Sequence, residues 1–319
     1  MKKEVMLLSV LVATLGVACS DQKGGDDTGS TTTQADTSIA STNGALALDT
    51  ISLTSSKALS LNSKAQELMA RLQRTLKSVV LDGTKFYVVE GDLLMDQDEL
   101  YVYALKLLNR DRGAHGADKL TVATTSAGQF AKWPEGYVIK YSVLKRSFMS
   151  PQMYQQTVAW MQEATTDWMK ACNVKFEYVP ALDNGTVGQV IDPRLTFVVR
   201  QFNSNGAFVA QAFFPPDPPY RRKILLDYRF FSLRESKAGV LRHELGHVLG
   251  FRHEHIWRTG TDCPEEAIVE EFLGAQNLSE EIDCSSVMHY ICGDCGSYEM
   301  KLSENDIRGA QVVYGTPKR

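Results

Sequence analysis

The chain has 319 residues, a formal net charge of −4 at pH 7 and a hydrophobic content of 44%. This length allows two folded units of about 150 residues each, and the composition is that of a globular protein. The weakly acidic balance gives no sign of the basic face that binds nucleic acid, so we expect no nucleic-acid partner. No stretch reaches the roughly 20 apolar residues that a membrane-spanning helix needs.

The first part of the sequence resembles an export signal. Two lysines precede an apolar run from Val5 to Ala18, which is the pattern of a secretory signal peptide over residues 1–18. Cys19 follows directly and resembles the lipidated cysteine of bacterial lipoproteins, although Gly16 stands where a leucine is usual; ordinary cleavage after Ala18 is the alternative. We expect an exported protein, held at the cell surface or in the periplasm by a lipid anchor on Cys19, or else secreted. Apart from this anchor we expect no contact with a membrane.

Residues 19–58 are predicted to be a flexible tether, because they are rich in Gly, Ser, Thr and Asp and poor in residues that could form a core. From Ser63 to Val80 apolar residues recur at spacings of three and four, which predicts an amphipathic helix. Ser63, followed three residues later by a glutamine, indicates a capping box, and Asp82-Gly83 predicts the end of the helix.

The sequence then predicts a strand from Phe86 to Val89 and a helix or strand from Leu100 to Leu108. Residues 109–128 are polar and rich in glycine, which indicates a boundary. We therefore assign residues 59–128 to a small helical leader and residues 129–319 to the main domain.

The main domain is predicted to contain both helices and strands. A helix begins at Pro151 with Ser150 as its cap and ends at Ala171. A last helix is capped by Ser303 and stops at Gly315. Strands are predicted at 174–179, 195–202 and 207–215, and a further strand or loop at 224–231.

One stretch of the main domain indicates a zinc site. His243 and His247 are four residues apart, so on a helix both imidazoles lie on one face and can reach one metal ion. Glu244 places a carboxylate beside that ion, where it can act as a general base. Gly250 ends the helix and allows a sharp turn, which can return His253 as a third ligand. Three nitrogen ligands leave one position open, as in catalytic rather than structural zinc sites.

The spacing His-Glu-x-x-His-x-x-Gly-x-x-His is that of the metzincin metallopeptidases, and Glu254 after the third His makes it most similar to the astacins. Residues 285–290, Ser-Ser-Val-Met-His-Tyr, also resemble the astacin Met-turn. The resemblance implies an α+β metzincin fold over residues 129–319, with a twisted, mostly parallel sheet, the zinc helix at the floor of a cleft and a smaller C-terminal lobe. It implies that Met288 forms the hydrophobic floor of the site and that Tyr290 is a further ligand or a hydrogen-bond donor.

The same resemblance implies a role for the leader. Astacin propeptides carry a Phe-x-Gly-Asp motif whose aspartate blocks the metal, and Val89-Glu90-Gly91-Asp92 is similar to it except that valine replaces phenylalanine. Asp92 is therefore expected to keep the exported precursor latent, as a zymogen, until the chain is cut farther along. A solvated turn is the alternative, because Gly-Asp pairs commonly form turns.

A strand before the zinc helix is the candidate for substrate binding. It resembles the edge strand of metzincins, in particular the Ala-x-Ala-Phe-Phe-Pro of matrixins. A peptide can add to such an edge as one more strand. The alternative is an edge that the two following prolines blunt. The residues we expect to bind substrate are Val209, Ala210, Gln211 and Ala212.

An exported chain permits disulfides, and bridges among the cysteines that flank the Met-turn would brace the floor of the site. If Cys19 is lipidated, five cysteines remain, and an odd number cannot all pair. We expect a local structural disulfide between Cys292 and Cys295, with Cys172 as the free thiol; a redox site or a second metal site at this Cys-x-x-Cys pair is the alternative in a reducing compartment.

These features predict a monomeric zinc endopeptidase that binds one catalytic Zn²⁺ and hydrolyses internal bonds of protein or peptide substrates. Glu244 is the expected general base and Tyr290 the expected donor to the oxyanion, while Arg252 and Arg258 are candidates for favouring acidic side chains in the substrate. The alternative is a non-catalytic, zinc-containing surface lipoprotein that binds peptide or glycan. Glu244 argues against this alternative, because a structural zinc site has no use for a base.

Overall fold

The computed structural model describes residues 55–108, 122–123, 129–188, 191–254, 275–276, 283–292 and 294–318, all of which belong to one compact unit spanning Thr42–Arg319. The expected signal peptide, Cys19, the tether up to residue 54, Arg258 and Cys263 lie outside the described residues. None of the helices in the described ranges combines the length and the apolar character that a bilayer crossing needs.

The first five elements form the leader: α1 (Ser55–Thr75), β1 (Ser78–Leu81), β2 (Thr84–Val89), β3 (Leu93–Met95) and α2 (Gln97–Leu108). The strands make an antiparallel sheet in the order β1-β2-β3. Both helices pack against one face of this sheet through a small core of their own, formed by Leu72, Tyr87, Val89, Leu100, Tyr103 and Ala104.

The helix predicted from Ser63 to Val80 is wrong at both ends. α1 begins at Ser55, so Ser63 lies inside the helix, and the last three residues of the prediction belong to β1. Asp82 and Gly83, with φ of 51° and 86°, form the turn of the β1–β2 hairpin rather than the end of a helix. The physical reason is that an Asp-Gly pair readily adopts the positive φ values that two-residue hairpin turns need. Burial also alternates along β1, which is the period of a strand.

The main body contains β4 (Val122–Ala123), β5 (Val138–Val143), α3 (Pro151–Ala171), β6 (Lys175–Tyr178), β7 (Phe197–Gln201), β8 (Ala210–Gln211), β9 (Lys223–Leu226), α4 (Lys237–Val248), β10 (Ala275–Gln276) and α5 (Glu304–Tyr314). Short 3-10 helices span Lys145–Ser147, Pro180–Leu182, Pro219–Arg221 and Tyr228–Ser232. The main sheet has the order β6-β5-β7-β9-β8, in which β8 is antiparallel to β9 and the other pairs are parallel. A mixed fold with a mostly parallel sheet is therefore confirmed.

Two helices of the body begin where the sequence predicts. Ser150 caps α3, because its hydroxyl accepts a hydrogen bond from the Met153 amide at 3.2 Å, and Pro151 is the first helical residue. Ser303 caps α5 in a capping box with Asp306. α3 packs against α4, and the Trp168 indole donates a hydrogen bond of 2.8 Å to the Arg242 carbonyl.

The two faces of the main sheet are covered by different parts of the chain. Ile224 and Leu226 of β9 point into the main core with α3 and α4, whereas Leu225 between them points towards the leader. The apolar cluster on the leader side consists of Val79, Leu81, Phe86, Val88, Leu94, Ala207, Phe208 and Leu225. The antiparallel sheet of the leader therefore packs against this face of the main sheet.

β4 lies before the predicted boundary at residue 128 but is attached to the body. It pairs with β10, and Val122 is fully buried in the main core. The Ala123 amide donates a hydrogen bond of 2.8 Å to the Gly250 carbonyl, directly beneath the turn that follows α4.

The expected local bridge between Cys292 and Cys295 is wrong. Cys295 is bonded to Cys284, with Cα atoms 4.5 Å apart, and Cys292 is disulfide-bonded as well. The backbones of Cys292 and Cys295 pair across a tight turn, and the Gly296 amide donates to the Cys284 carbonyl at 2.8 Å. This turn brings Cys295 back onto Cys284. Cys172 is the free cysteine of the described residues and is buried, as expected.

Candidate metal centre

α4 carries the first two histidines of the motif. It begins after Ser236, whose hydroxyl accepts a hydrogen bond of 3.1 Å from the Gly239 amide, and it is buried from Ala238 onwards. His243 and His247 lie one turn apart on its inner face, with ring centroids separated by 5.0 Å. Because the helix is buried on all sides, these two rings have little freedom to move.

Each of these rings is oriented by a backbone carbonyl. Nδ1 of His243 lies 2.8 Å from the Val287 oxygen, and Nδ1 of His247 lies 2.8 Å from the Phe251 oxygen. A carbonyl oxygen only accepts, so each Nδ1 carries the proton and each Nε2 keeps its lone pair. Burial lowers the pKa of His247 to about 4, more than the neighbouring carboxylate of Asp92 raises it. Both rings are thus held in the form that ligates a metal.

Gly250 supplies the turn that returns the third histidine. Its φ is +95°, and a Cβ at this position would lie 2.2 Å from the carbonyl oxygen of Ala131. Both observations require glycine, because an L side chain would be strained and would also strike backbone. The turn is closed by a 2.9 Å hydrogen bond from the Phe251 amide to the Gly246 carbonyl, and His253 follows fully buried.

The three histidine Nε2 atoms converge on one point. His253 Nε2 lies 3.2 Å from the Nε2 atoms of both His243 and His247. A single proton on His253 Nε2 can satisfy only one of these two contacts, whereas one cation can satisfy all three nitrogens. A tetrahedral ion with nitrogen ligands at about 2.1 Å would separate those ligands by about 3.4 Å. The donor set therefore fits a single zinc ion, bound in a buried cluster formed by Asp92 and the three histidines.

Asp92 belongs to this cluster although it lies in the leader. Its Oδ2 is 3.3 Å from His243 Nε2 and 3.1 Å from His253 Nε2, and it accepts a hydrogen bond of 2.5 Å from the Tyr290 hydroxyl. The loop that carries it has positive φ at Glu90 (52°) and Gly91 (84°). A Cβ on Gly91 would lie 3.1 Å from the Tyr290 hydroxyl, so the missing side chain allows the loop to approach closely.

Glu244 lies beside the cluster without being one of its members. It is 2% exposed, and its Oε2 is a buried atom with no hydrogen-bond partner among the described residues. Burial, and after it the charge of Asp92, raise the pKa of Glu244 well above its usual range. A buried carboxylate without a partner is costly, which points to a chemical role.

The loop with Met288 and Tyr290 closes the centre from below and from the side. Met288 is fully buried, and a Cβ on Gly246 of α4 would lie 2.3 Å from its sulfur. The sulfur therefore packs directly against the backbone of the metal-binding helix. Tyr290 lies with its ring centroid 4.7 Å from that of His253.

Asp306 is a residue of the site that sequence reasoning missed. It is 1% exposed and accepts hydrogen bonds from the Ser286 hydroxyl at 2.6 Å and from the Val287 amide at 2.8 Å. Since the Val287 carbonyl orients His243, Asp306 supports the centre from the start of α5. The capping box at Ser303 was recognisable in the sequence, but nothing local indicated this second use of the carboxylate.

Glu90 is a second residue that sequence reasoning did not place. Its carboxylate is buried, forms an ion pair with Arg252 and lies 3.4 Å from Nδ1 of His253. Arg252, which was a candidate for binding acidic substrate side chains, is therefore paired with the leader in this structure. Two leader carboxylates therefore lie at the centre: Glu90 beside Arg252 and His253, and Asp92 beside the histidine Nε2 atoms.

The expected substrate strand forms the edge of the main sheet. β8 covers Ala210 and Gln211 of the expected stretch Val209–Ala212, and it pairs on one side with β9. A cavity of about 380 Å³ lies between this strand, the leader and α4. Its lining includes Lys77, Asp92, Phe208, Val209, Ala210 and Glu244. The edge strand and the unpaired carboxylate thus share one cavity.

Comparisons with known proteins give matches among solved structures. No protein-family model and no curated protein matches the chain. Solved structures that match include myroilysin, at 18% identity and a TM-score of 0.40, over 58% of this chain and 82% of that one. Another is high choriolytic enzyme 1, a hatching-enzyme zinc protease of the medaka fish Oryzias latipes, at 18% identity and a TM-score of 0.37, over 58% of this chain and 95% of that one. At these identities no residue role carries over, and the chemistry depends on the geometry of the site itself.

Proposed function

We propose that the chain is a zinc-dependent endopeptidase of the metzincin type, most like the astacins, and that it is made as a latent precursor. One observation carries the proposal: His253 Nε2 lies 3.2 Å from the Nε2 atoms of both His243 and His247, beside a buried glutamate whose Oε2 has no hydrogen-bond partner among the described residues. A structural zinc site has no need for such a glutamate.

His243, His247 and His253 would hold the ion. When bound, zinc would act as a Lewis acid that polarises the scissile carbonyl and lowers the pKa of water, so that water can attack near neutral pH. Glu244 takes the proton from the attacking water and passes it to the leaving amine, and its raised pKa brings it closer to the working pH of a general base. The Tyr290 hydroxyl, which reaches into the centre, donates a hydrogen bond to the oxyanion.

The substrate is a protein or peptide that binds as an additional strand. Among the described strands β8 is the edge of the main sheet, and its side away from β9 offers backbone groups to an extended chain. The cavity of about 380 Å³ between β8 and Glu244 is large enough for substrate side chains. A peptide bound there would run past Glu244 and the metal cluster.

Asp92 accounts for the latency. Its carboxylate lies where the fourth ligand of a three-histidine site belongs, and it also engages the Tyr290 hydroxyl. A carboxylate held by its own chain acts at a high effective concentration, so it displaces both water and substrate. In the precursor, Asp92 therefore occupies the fourth ligand position of the metal site and also engages Tyr290, the donor to the oxyanion.

Catalysis is tested in the full-length Asp92→Ala chain, with and without Glu244→Gln, on a library of internally quenched peptides. Glu244→Gln should keep its zinc, measured by mass spectrometry, and lose about 10²- to 10⁴-fold in hydrolysis, because a general base is worth that much. Tyr290→Phe should lose less. Undiminished turnover in Glu244→Gln would mean another base. A zinc-bound Asp92→Ala chain that cleaves nothing would favour the non-catalytic binding protein.

Latency is tested by comparing uncut wild type with uncut Asp92→Ala. The variant should hydrolyse peptides while the wild type stays silent. Asp98→Ala is the matched control, because Asp98 is an exposed carboxylate of the same leader and should leave the precursor silent. Equal activity of wild type and Asp92→Ala would reduce Asp92 to a turn residue.

We further propose that the protein is exported as a monomer and anchored by a lipid on Cys19. The sequence of the first 19 residues supports export, and the cysteine after the apolar run supports the anchor. Metabolic labelling with a fatty acid should mark the wild type and not Cys19→Ala. Secretion of unlabelled wild type would favour ordinary signal cleavage.

A further inference from the structure

We propose that one face of the main sheet is a binding site of its own, separate from the metal cluster, and that it keeps the leader bound after the chain between them is cut. We call it the outer face and define it by Arg200, Phe202, Phe208, Lys223 and Leu225. Its ligand is an acid-tipped β-hairpin with an apolar side, here β1 and β2 of the leader. The inference rests on the proposed function only for its consequence, continued latency; the binding itself is measured without activity.

The charges on the outer face fit the turn of the hairpin. Arg200 Nη2 lies 3.2 Å from Asp82 Oδ1, and Lys223 Nζ lies 3.2 Å from Asp82 Oδ2. The side chains of Arg200 and Lys223 are only 7% and 2% exposed. Among the described residues, Asp82 is the one carboxylate within ion-pair distance of either. Two body cations are thus buried against a single leader carboxylate, and removing it would leave both uncompensated.

A third cation holds the other end of the leader sheet. Arg221 forms an ion pair with Glu99 and donates a hydrogen bond of 2.7 Å to the Leu94 carbonyl. Its guanidinium also lies 5.0 Å from the ring centroid of Phe86. One body side chain therefore contacts three separate leader groups, and a surface arginine without the leader would have none of these contacts.

The apolar side of the leader completes the interface. Val79, Leu81, Phe86 and Val88 of the hairpin are all buried against Phe208 and Leu225. Burial of large apolar side chains is the main favourable contribution to most protein association. The outer face therefore combines an apolar centre with cations at its rim, as specific interfaces do.

The leader has its own core, which matters for what happens after a cut. α1 and α2 pack on the opposite side of the leader sheet, so the hairpin is held in shape by contacts within the leader. A preorganised ligand loses little conformational freedom on binding and keeps its affinity when the covalent link is gone. A short flexible peptide carrying Asp92 alone would leave the site; a folded leader docked on the outer face should not.

The test uses the full chain with a recognition sequence for a specific protease placed between residues 112 and 120. After cutting, size-exclusion chromatography at a series of dilutions gives the dissociation constant of the two pieces. The variant is Asp82→Asn, which removes the charge but tolerates the positive φ of this turn. The control is Asp98→Asn, an exposed leader carboxylate.

The wild-type pieces should co-elute at micromolar concentration. Asp82→Asn should weaken binding by at least about tenfold, because hydrogen bonds to charged groups are worth that much, and Asp98→Asn should not. Lys223→Met should weaken binding as well, and circular dichroism shows whether each variant is folded. Wild-type pieces that separate at once, or an equal affinity for Asp82→Asn and Asp98→Asn, would overturn the proposal. Peptide hydrolysis by a cut complex that still co-elutes would count against the block by Asp92 and leave the outer face in place.

Discussion

Among single residues, the glycines around the centre matter as much as its ligands, because they have no side chain. Gly91, Gly246 and Gly250 each lie where a side chain would meet Tyr290, Met288 or the Ala131 carbonyl. If a side chain were added at any of these glycines, the backbone or its neighbour would have to move, and the geometry of the centre would change. The three glycines therefore set how closely the loops approach the histidines.

Gly250→Ala should destabilise the fold and weaken zinc binding. The new Cβ would lie 2.2 Å from a backbone oxygen at a φ of +95°, so strain and a steric clash add together. Gly83→Ala is the matched control, since its φ is +86° but nothing lies within 4 Å. Gly83→Ala should cost about 1–2 kcal/mol in the free energy of unfolding in urea, and Gly250→Ala distinctly more. Equal costs, with unchanged zinc affinity, would contradict the role of this turn.

Cys172 should be chemically silent in the native protein. It is fully buried, and burial raises the pKa of its thiol to about 12, so at pH 8 the thiol stays protonated. A thiol reagent at pH 8 should label it only after unfolding. Cys172→Ala should remove one equivalent of label in denaturant and none under native conditions. Loss of native labelling in that variant would show that the thiol is accessible.

Among the secondary-structure elements, α4 and two loops form the metal centre, and other elements hold these loops in place. α4 places two histidines on one face, whereas the loop through Met288 is fixed from α5. Asp306 at the start of α5 links the Ser303 cap to the Val287 amide. Val287 in turn orients His243 through its carbonyl. A helix cap thus becomes a support of the metal site.

Asp306→Ala should therefore lower zinc affinity without touching a ligand. Groups that orient ligands from behind commonly contribute about 10- to 100-fold in metal affinity. Ser150→Ala is the comparison, because Ser150 caps α3, where its hydroxyl accepts a hydrogen bond from the Met153 amide. It should cost about 1 kcal/mol of stability with unchanged zinc affinity, measured by competition with a chromophoric chelator. The same zinc affinity in Asp306→Ala and wild type would confine Asp306 to helix capping.

At the scale of the whole molecule, the metal cluster joins residues of the leader to residues of the body. Asp92 lies 151 positions before His243 in sequence and 3.3 Å from it in space. The leader is also attached through the outer face and through Glu90. Zinc binding, leader docking and the stability of the fold should therefore be coupled.

Removing the metal should lower the thermal stability of the full-length chain. A ligand that binds only the folded state stabilises it by about 4 kcal/mol at 1,000 times its dissociation constant. For a chain of this size the melting temperature should fall by about 1.5–2 °C for each kcal/mol lost. His243→Ala, His247→Ala and His253→Ala should each lose the metal and show no further shift with a chelator. Full zinc retention in all three variants would refute the site.

What the sequence determined by itself is local. The spacing of His243 and His247 sets their common face, Ser150 and Ser303 begin helices, and Gly250 marks the turn. Each follows from a pattern within a few residues, because helix periodicity and capping are short-range properties. The mostly parallel sheet and its edge strand were expected from resemblance to a known family and not from any local pattern.

The long-range contacts depend on the tertiary structure. It placed the Asp92 carboxylate against the histidines, paired Arg252 with Glu90, joined Cys284 to Cys295 and set the leader hairpin on the outer face. No local period encodes such contacts, since they arise when separate elements bury complementary charge and apolar surface together. The Asp82-Gly83 turn shows the limit within one segment. Its residues allow either a helix end or a hairpin, and the buried partners of Val79 and Leu81 select the hairpin.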